Sequence, residues 1–401
     1  MNDYFADLGQ AVLARWKAEN FSLPAFPKIA KASLDECPPT DHVDLDMLVR
    51  DFLVDDEQPA QSLSGFGQPE LVVYDHPRFY IQILFWLDGT TDIHQHEFSG
   101  AFHVLAGSSV HSHFAFDDAR AITAHFQIGD LRLLETRLLE TGATVPIVSG
   151  RGCIHSLFHL ETPSVTVVVR TRSDPGTGPQ FTYLPPHIAL DPVQEDALTM
   201  RRKQLLDALE QIGDAAYPEL VREMIVELDF ERGFFVLQNA MTHLRENDAW
   251  DGVWDVFSEK HGALAERVLP TLEEIIRRDL LVHLRGSVED VEHRFFLAML
   301  LSVRTREQIF QMVEQRYPGD AADTILRWAS ELIVASPSGT WLIDAEFPEG
   351  MSVDSDEEAD VLMKALRAFV TGGEMAGIPI SEASALRGAL RRSSWQVFEA
   401  A

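Results

Sequence analysis

Two histidines separated by a single residue, His94 and His96, lie in the stretch DGTTDIHQHEFSGAFHVLAG. On a β-strand, residues i and i+2 project from the same face, so two such imidazoles can bind one metal ion. A third ligand must then come from a neighbouring strand, and the segment VSGRGCIHSLFH offers His155 after a Gly-rich turn. Eight of the 15 histidines lie between His94 and His159, which marks this part of the chain. We therefore predict a metal site on His94, His96 and His155.

Residues close to these histidines are candidates for supporting roles. His159 can orient a metal ligand through a hydrogen bond, with an ordinary paired histidine as the alternative. Cys153 can be a reactive thiol or a soft ligand, and a small buried hydrophobic residue is the alternative. Three further histidines lie at odd-numbered positions, which share one face of a strand, and they are expected either to line the barrel mouth or to lie on the surface: His103, His111 and His113.

Arginine and aromatic side chains in the same region are candidates for substrate binding. The planar guanidinium suits bidentate pairing with a carboxylate, and ion pairing at the surface is the alternative role. The candidates of this type are Arg151, Arg170 and Arg172, the last two on one face of the run SVTVVVRT. The same region contains three aromatic residues that are expected either to form the apolar walls of a pocket or to pack in the core: Trp86, Phe98 and Phe102.

Short runs rich in β-branched and aromatic residues extend from about Leu71 to Arg172. Examples are LVVYD, FYIQILFW and SVTVVVRT, and Gly, Asp, Ser or Pro separates the runs. Closely spaced short strands with such turns predict an antiparallel sandwich or barrel. The Gly-, Pro- and Ser-rich segment Ser173 to Pro186 is predicted to be an exit loop.

The rest of the chain has a helical period of apolar residues. This period predicts helices over 1–20, 44–54, 231–245, 263–282, 289–303, 305–316, 320–335, 356–371 and 381–392. The expected fold class is therefore α+β, with an antiparallel β-barrel followed by an all-α helical bundle. We divide the chain into an N-terminal helical segment (1–65), a barrel domain (66–186), a helical bundle (187–336) and a small C-terminal helical region (337–401).

The two histidine segments resemble the two short motifs of the cupin superfamily. The first cupin motif contains Gly, His-x-His, usually Glu, and Gly; the second reads Pro-x-Gly-x-x-His-x-x-x-Asn. The matching residues are Gly89, His94, His96 and Gly107 in the first motif, and Gly152, His155 and, in place of Asn, His159 in the second. The resemblance covers about 71–172 and implies a cupin-type jelly-roll barrel that holds a metal ion.

The usual Glu ligand of the first cupin motif would fall at Gly100 or Ala101, and neither residue can bind metal. A three-histidine site without that Glu is similar to the site of the cysteine dioxygenase group of thiol dioxygenases. The members of this group bind Fe(II) and add O₂ to the sulfur of a thiol, so the resemblance implies Fe(II) here. The Tyr of that group has no counterpart near Arg170, which leaves the substrate open. Imidazole also suits other metals, so Zn, Mn, Ni and Cu remain alternatives.

The predicted function is that of a mononuclear non-haem iron oxygenase. The substrate would bind the metal beside O₂ and be oxidised at sulfur or carbon, and it would be a small molecule, an amino acid, a peptide or a carrier-bound group. One alternative is a Zn- or Mn-dependent isomerase, lyase or hydrolase. Another is a non-catalytic sensor of small molecules. The long helical region suggests a homo-oligomer interface as a further prediction.

The charge of the chain narrows its partners and location. Lys and Arg total 33 against 63 Asp and Glu, which gives a formal charge of −30. Such a chain repels phosphate backbones and anionic lipids, so we expect no nucleic-acid or membrane partner. The N-terminus has neither the basic segment nor the apolar segment of a signal peptide, and Cys37 and Cys153 are the only cysteines. We therefore predict a cytoplasmic protein.

Overall fold

The computed structural model describes residues 2–61, 66–87, 89–194, 196–335 and 356–399. Within these ranges, helices precede and follow a group of eleven strands. The strands are β1 Glu70–His76, β2 Phe79–Trp86, β3 Ile93–His96, β4 Gly100–Ala106, β5 Ser109–Ala121, β6 Phe126–Leu139, β7 Thr144–Ile147, β8 Gly150–His159, β9 Ser164–Thr171, β10 Thr182–Leu184 and β11 Ile188–Leu190.

The strands form two antiparallel layers, with one apolar cluster between the layers and a second cluster on the other face of the strands that carry the histidines. One layer is a five-stranded sheet in the order β1-β2-β9-β4-β7, and the other is a closed barrel in the order β10-β11-β6-β5-β8-β3. Side chains alternate between the two faces of each strand. On β9, Val168 packs into the interior, whereas Val167 and Val169 pack outward against the N-terminal helices. Because of this alternation, every second residue of a strand points into the interior, and polar residues at those positions do so as well.

Three N-terminal helices cover the outer face of the five-stranded sheet. They are α1 Asn2–Ala18, α2 Phe26–Glu36 and α3 Leu45–Val54. Trp16 and Phe26 are buried against Phe79 of β2 in a single cluster. Asp44 caps α3 by accepting a hydrogen bond from the backbone N–H of Met47 at 3.0 Å. The helices predicted at 1–20 and 44–54 are present, whereas α2 lies in a Pro- and Asp-rich stretch for which a loop was predicted, and that prediction was wrong.

The helical region follows the last strand. Its helices are α4 Ala197–Gln211, α5 Tyr217–Glu227, α6 Phe230–Glu246, α7 Trp250–His261, α8 Val268–Ser287, α9 Val291–Ser302, α10 Arg306–Arg316, α11 Ala321–Ala335, α12 Asp356–Thr371 and α13 Ile380–Arg392. Short 3-10 helices lie at Leu23–Ala25, Pro39–Asp41, Gly262–Arg267 and Ser394–Phe398. The predicted α+β class, an antiparallel β-barrel followed by a helical region, is confirmed.

Two apolar clusters join the helices to the barrel. Val110 and Phe158 pack with residues of α8 to α13, and Phe126 and Ile188 pack with residues of α4 to α8. No helix in the described ranges is both long enough and apolar enough to cross a bilayer. The predicted domain boundaries and the predicted oligomer interface stay predictions, and 337–355 lies outside the described residues.

The segment predicted as an exit loop contains β10, and β11 follows within the segment assigned to the helices. This part of the prediction was wrong. Phe181 and Tyr183 before Pro185-Pro186, and Ile188 and Leu190 after it, alternate in the strand period and are buried. The two prolines and the flanking Gly residues hid this period. The strands matter because β10 pairs with β3, the strand that carries His94 and His96.

Candidate metal centre

Strand β3 lies between β8 and β10, and its two neighbours determine where its histidines point. His94 pairs directly with His155 of β8 on one side and with Thr182 of β10 on the other. A bulge between His94 and His96 shifts the register, so that His96 pairs with Gly150. All three histidines are buried, with exposed fractions of 4%, 4% and 2% for His94, His96 and His155.

The three predicted ligands converge on one point between the closed barrel and the five-stranded sheet. Each offers one ring nitrogen, and these nitrogens all lie within 4.8 Å of one another. The ring centroids of His94, His96 and His155 are 4.7 to 4.9 Å apart. The Nε2 atoms of His96 and His155 are 2.8 Å apart. Two imidazole nitrogens on metal bonds of about 2.1 Å are separated by roughly 3.0 to 3.4 Å. The observed spacing is therefore close to that of a coordination shell.

The hydrogen bonds of His94 leave the correct nitrogen available for a metal. Its Nδ1–H donates to the backbone carbonyl of Asp92 at 2.7 Å, which leaves the lone pair on Nε2. Nε2 is buried and has no hydrogen-bond partner among the described residues. A buried polar nitrogen without a partner is costly unless a ligand satisfies it. The donor set thus fits a divalent transition metal.

Burial keeps these imidazoles in the form that binds metal. Desolvation lowers the pKa of His94 below its ordinary value, against a smaller opposing effect of its bond to the Asp92 carbonyl. Desolvation lowers the pKa of His96 and of His155 still further, and neighbouring imidazoles act in the same direction. The rings are therefore neutral at physiological pH, and a neutral imidazole is the ligand form.

A small cavity opens beside the three histidines. Its volume is roughly 420 Å³ when the space open to solvent is included. Its side chains are mainly apolar and aromatic: Phe66, Leu84, Trp86, Phe98, Phe102, Ile147, Leu157 and Val168, with Gln82, Thr91, Thr166 and Arg170 as the polar members besides the histidines. None of the described residues that line it is a carboxylate. The cavity is therefore mainly apolar, and the Arg170 guanidinium gives it a positive charge.

Arg170 is the predicted substrate-binding arginine that reaches this cavity. Its guanidinium lies 3.4 Å from the ring centre of Phe98 and 5.1 Å from that of Tyr80. Burial lowers its pKa, although an arginine remains charged. Arg172 lies on the surface instead, where it pairs with Asp75. Arg151 is also exposed and bonds Gln127. Of the two roles left open for these arginines, the cavity position therefore applies to Arg170, whereas Arg172 lies past the last residue of β9 and has the surface ion pair.

The remaining candidates lie around the site or outside it. His159 is fully buried, stacks on Trp86 at a centroid distance of 4.9 Å and bonds Ser109 Oγ at 2.8 Å through Nδ1. Trp86 lines the cavity, so His159 supports its wall. Burial raises the pKa of Cys153 to about 12, which makes it an unreactive thiol. His103 bonds Thr144 on the outward side of β4, facing Asp35 of α2, and does not reach the centre.

The sequence analysis did not identify three residues that shape the site, namely Gln95, Tyr183 and Gln82. Gln95, between the two histidines of β3, accepts a hydrogen bond from the Tyr183 hydroxyl and donates to the Pro179 carbonyl at 2.9 Å, which ties β3 to the β10 segment. Gln82 places a buried Oε1 without a partner in the cavity. A single Gln within the apolar run FYIQILFW was the signal for that residue.

No protein-family model matches the chain, and no curated protein matches it. Solved structures that are similar to part of it include the following three. A cupin-2 domain containing protein from Shewanella frigidimarina is 13% identical, over 33% of this chain and 97% of that one, with a TM-score of 0.21. A hydroquinone 1,2-dioxygenase from Sphingomonas sp. is 11% identical, over 27% and 68%, with a TM-score of 0.21. The DMSP lyase DddQ from Ruegeria pomeroyi is 16% identical, over 44% and 95%, with a TM-score of 0.24.

Proposed function

We propose that this chain is a metal-dependent enzyme of the cupin class that oxygenates a small organic anion with Fe(II) held by His94, His96 and His155. The observation that carries the proposal is the convergence of three buried neutral imidazoles beside one guanidinium in an apolar cavity. Cytoplasmic location and iron as the metal are parts of the same proposal.

The charge of the site supports an anionic substrate. Three neutral imidazoles leave both positive charges of a divalent ion uncompensated, and the described lining residues add no carboxylate. Arg170 adds a further positive charge. An uncompensated charge in a low-dielectric site is strongly unfavourable, so an anion that enters it is held by the whole arrangement. A carboxylate or a thiolate on a small apolar body fits this requirement.

Arg170 is the residue that we assign to the substrate carboxylate. Its Nε donates to the carbonyl of Thr171 and its Nη2 to that of Arg172, each at 3.3 Å, while its flat face rests on Phe98. These contacts hold the guanidinium in place before the substrate arrives, which reduces the entropy lost on binding. Gln82 Oε1 is placed to accept a hydrogen bond from an N–H or O–H group of the substrate.

The aromatic walls have a separate role. Trp86, Phe98 and Phe102 leave little room for water next to the histidines, so polar contacts there are strengthened. When bound, Fe(II) supplies open coordination positions for O₂ and for the substrate anion. The substrate would be a single amino acid, a comparable small molecule, or one residue of a peptide or carrier-bound group that enters from the open side of the cavity.

Metal analysis and oxygen uptake test this function. We expect the purified chain to contain iron that is lost in His94→Ala, and to consume O₂ with one or more members of a panel of thiols, amino acids and other carboxylates. A chain that retains zinc or manganese and takes up no O₂ with any of them would contradict the oxygenase and favour an isomerase, lyase or hydrolase.

A matched pair of variants tests the anion site. Arg170→Gln should raise KM for the substrate by about 10- to 100-fold, because a charge-assisted pair contributes about 1.5–3 kcal/mol. Arg172→Gln removes a guanidinium two residues away that pairs with Asp75 at the surface, and it should change KM by less than about two-fold. Equal effects of the two substitutions would remove Arg170 from the substrate site.

A further inference from the structure

His155 contacts other histidines through both of its ring nitrogens. Its Nε2 faces His96 Nε2 at 2.8 Å, on the side of the centre described above. Its Nδ1 faces His111 Nε2 at 2.9 Å, on the opposite side. His111 Nε2 in turn lies 3.1 Å from His113 Nε2. His111, His113 and His155 therefore form a second group whose ring nitrogens all lie within 4.8 Å of one another.

The strand order explains why two groups share one residue. Strand β8 lies between β3 and β5, and each of these neighbours carries a His-x-His pair. His155 pairs directly with His94 on the β3 side and with His113 on the β5 side. Since residues i and i+2 share a face, each pair turns its two rings toward the same central residue. The arrangement that defines the first centre is thus repeated across β8.

Hydrogen bonding among the rings does not satisfy this second group. A neutral imidazole has one N–H and one lone pair, on different nitrogens. His111 directs a single atom, Nε2, at both His155 and His113, while its buried Nδ1 has no partner among the described residues. One proton or one lone pair cannot make two good hydrogen bonds with that atom. A cation placed among the three nitrogens would accept a lone pair from each of them.

We propose that His111, His113 and His155 form a second metal site, so that His155 bridges two metal ions as an imidazolate. The two-ion form rests on the centre proposed above, because His155 belongs to both groups. To bind through both nitrogens, the neutral His155 ring must release its one N–H proton to solvent, and the resulting negative charge lies between the two cations.

The surroundings give the second site a different character from the first. His113 is half-buried, whereas His111 and His155 are buried. The cross-strand partners on β6 are Glu135 opposite His113 and Arg137 opposite His111, and both are exposed. Solvent and the Glu135 carboxylate are therefore available to balance the charge of the ion, while Arg137 opposes it. An imidazole set selects zinc, copper, nickel or iron over magnesium and calcium.

Metal titration of the full chain tests this proposal. After removal of metal, the chain is titrated with Co²⁺ and followed by d–d absorption, with bound ion counted by equilibrium dialysis. We expect two equivalents for the wild type, one for His113→Ala and one for His94→Ala. His125→Ala removes a barrel histidine outside both groups and should keep two equivalents. Far-UV circular dichroism confirms that each variant is folded, and His113→Gln replaces His113→Ala if the latter is not.

The outcomes separate the two proposals. One equivalent in the wild type that persists in His113→Ala overturns the second site and leaves the first intact, and two equivalents that persist in His113→Ala also overturn it. One equivalent that is lost in His113→Ala but kept in His94→Ala supports the second site and contradicts the first. With Cu²⁺ in both sites, coupling through the shared imidazolate should reduce the integrated EPR signal below two spins per chain. A full signal of two spins overturns the bridge.

Discussion

The barrel interior and the helical region both bury polar groups, but they satisfy them differently. In the helical region, Glu274 forms two 2.7 Å bonds with Arg277, and Arg277 and Arg278 also donate to backbone carbonyls of α9. Buried atoms without a partner also occur in the helical region, for example Tyr217 Oη and Asn239 Oδ1. Around His155, however, the unpaired atoms belong to His94, His96 and His111, which are members of the two groups that could hold a metal ion in the described part of the chain. Since unpaired buried groups cost stability, their occurrence within these groups supports a ligand site there.

The contrast also shows what the helices contribute to the barrel. Arg285 of α8 is 2% exposed, and its guanidinium donates to the His159 carbonyl through Nε at 3.2 Å and Nη2 at 3.1 Å. The His159 backbone N–H donates to the Gly89 carbonyl, next to the first cupin-like motif. A side chain built at Gly89 would collide with the Arg285 guanidinium. The helical region therefore supports the end of β8 and the loop before β3, both of which position the proposed metal ligands.

The largest expected effect comes from removing the shared ligand. His155→Ala should lower metal affinity by more than about 100-fold, since even residues that only support a ligand contribute 10- to 100-fold. The control is His293→Ala on α9, which removes a histidine that is paired with Glu331 in the helical region. Metal content measured by mass spectrometry after dialysis should fall in the first variant alone. If His155→Ala kept its full metal content, His155 would not be a metal ligand and the barrel would no longer differ from the helical region in this respect.

An intermediate effect is expected from the helical support. Arg285→Met should lower the free energy of unfolding by about 2–3 kcal/mol, because it leaves buried carbonyls without a donor. Arg245→Met removes an exposed arginine that pairs with Glu273 at 3.0 Å, and it should cost less than about 1 kcal/mol. Urea unfolding of the two variants provides the measurement. Similar midpoints for both would show that Arg285 does not support the barrel.

The smallest expected effect concerns pH. Burial, with a smaller effect of Arg285, lowers the pKa of His159 to about 3, whereas an unfolded histidine titrates near 6.5. The stabilisation from the neutral ring is complete above about pH 6.5, and it is lost as pH falls from there toward 3, because the unfolded chain then binds a proton that the folded chain does not.

His159→Gln should therefore reduce the pH dependence of the unfolding free energy of the metal-free chain by at most about 1.4 kcal/mol per pH unit. Urea unfolding at several values between pH 6.5 and 4.5 measures this slope. His76→Gln, at a partly exposed histidine, is the matched control and should leave the slope closer to that of the wild type. An unchanged slope in His159→Gln would mean that the ring is already solvated in the folded chain.

The sequence by itself determined the secondary structure wherever one period dominated. Helices such as 305–316 and 320–335 were predicted close to their observed bounds, Arg306–Arg316 and Ala321–Ala335, because an apolar face at a period of 3.6 is a local property. The runs of β2 and β9 were equally clear. The short strands β10 and β11 were missed because prolines interrupt their period and because pairing with distant strands, here β3 and β6, stabilises them.

The candidate site divides in the same way. His94, His96 and His155 were predicted because the spacing within one strand determines which face a residue takes. Only the tertiary structure separated Arg170 from Arg172, since the end of β9 and the position of Asp75 decide which guanidinium faces the cavity. It also placed His111 against the second nitrogen of His155, His113 against His111, and His103 outside the barrel. These distinctions depend on which strands become neighbours, and strand order is a long-range property that local sequence patterns do not contain.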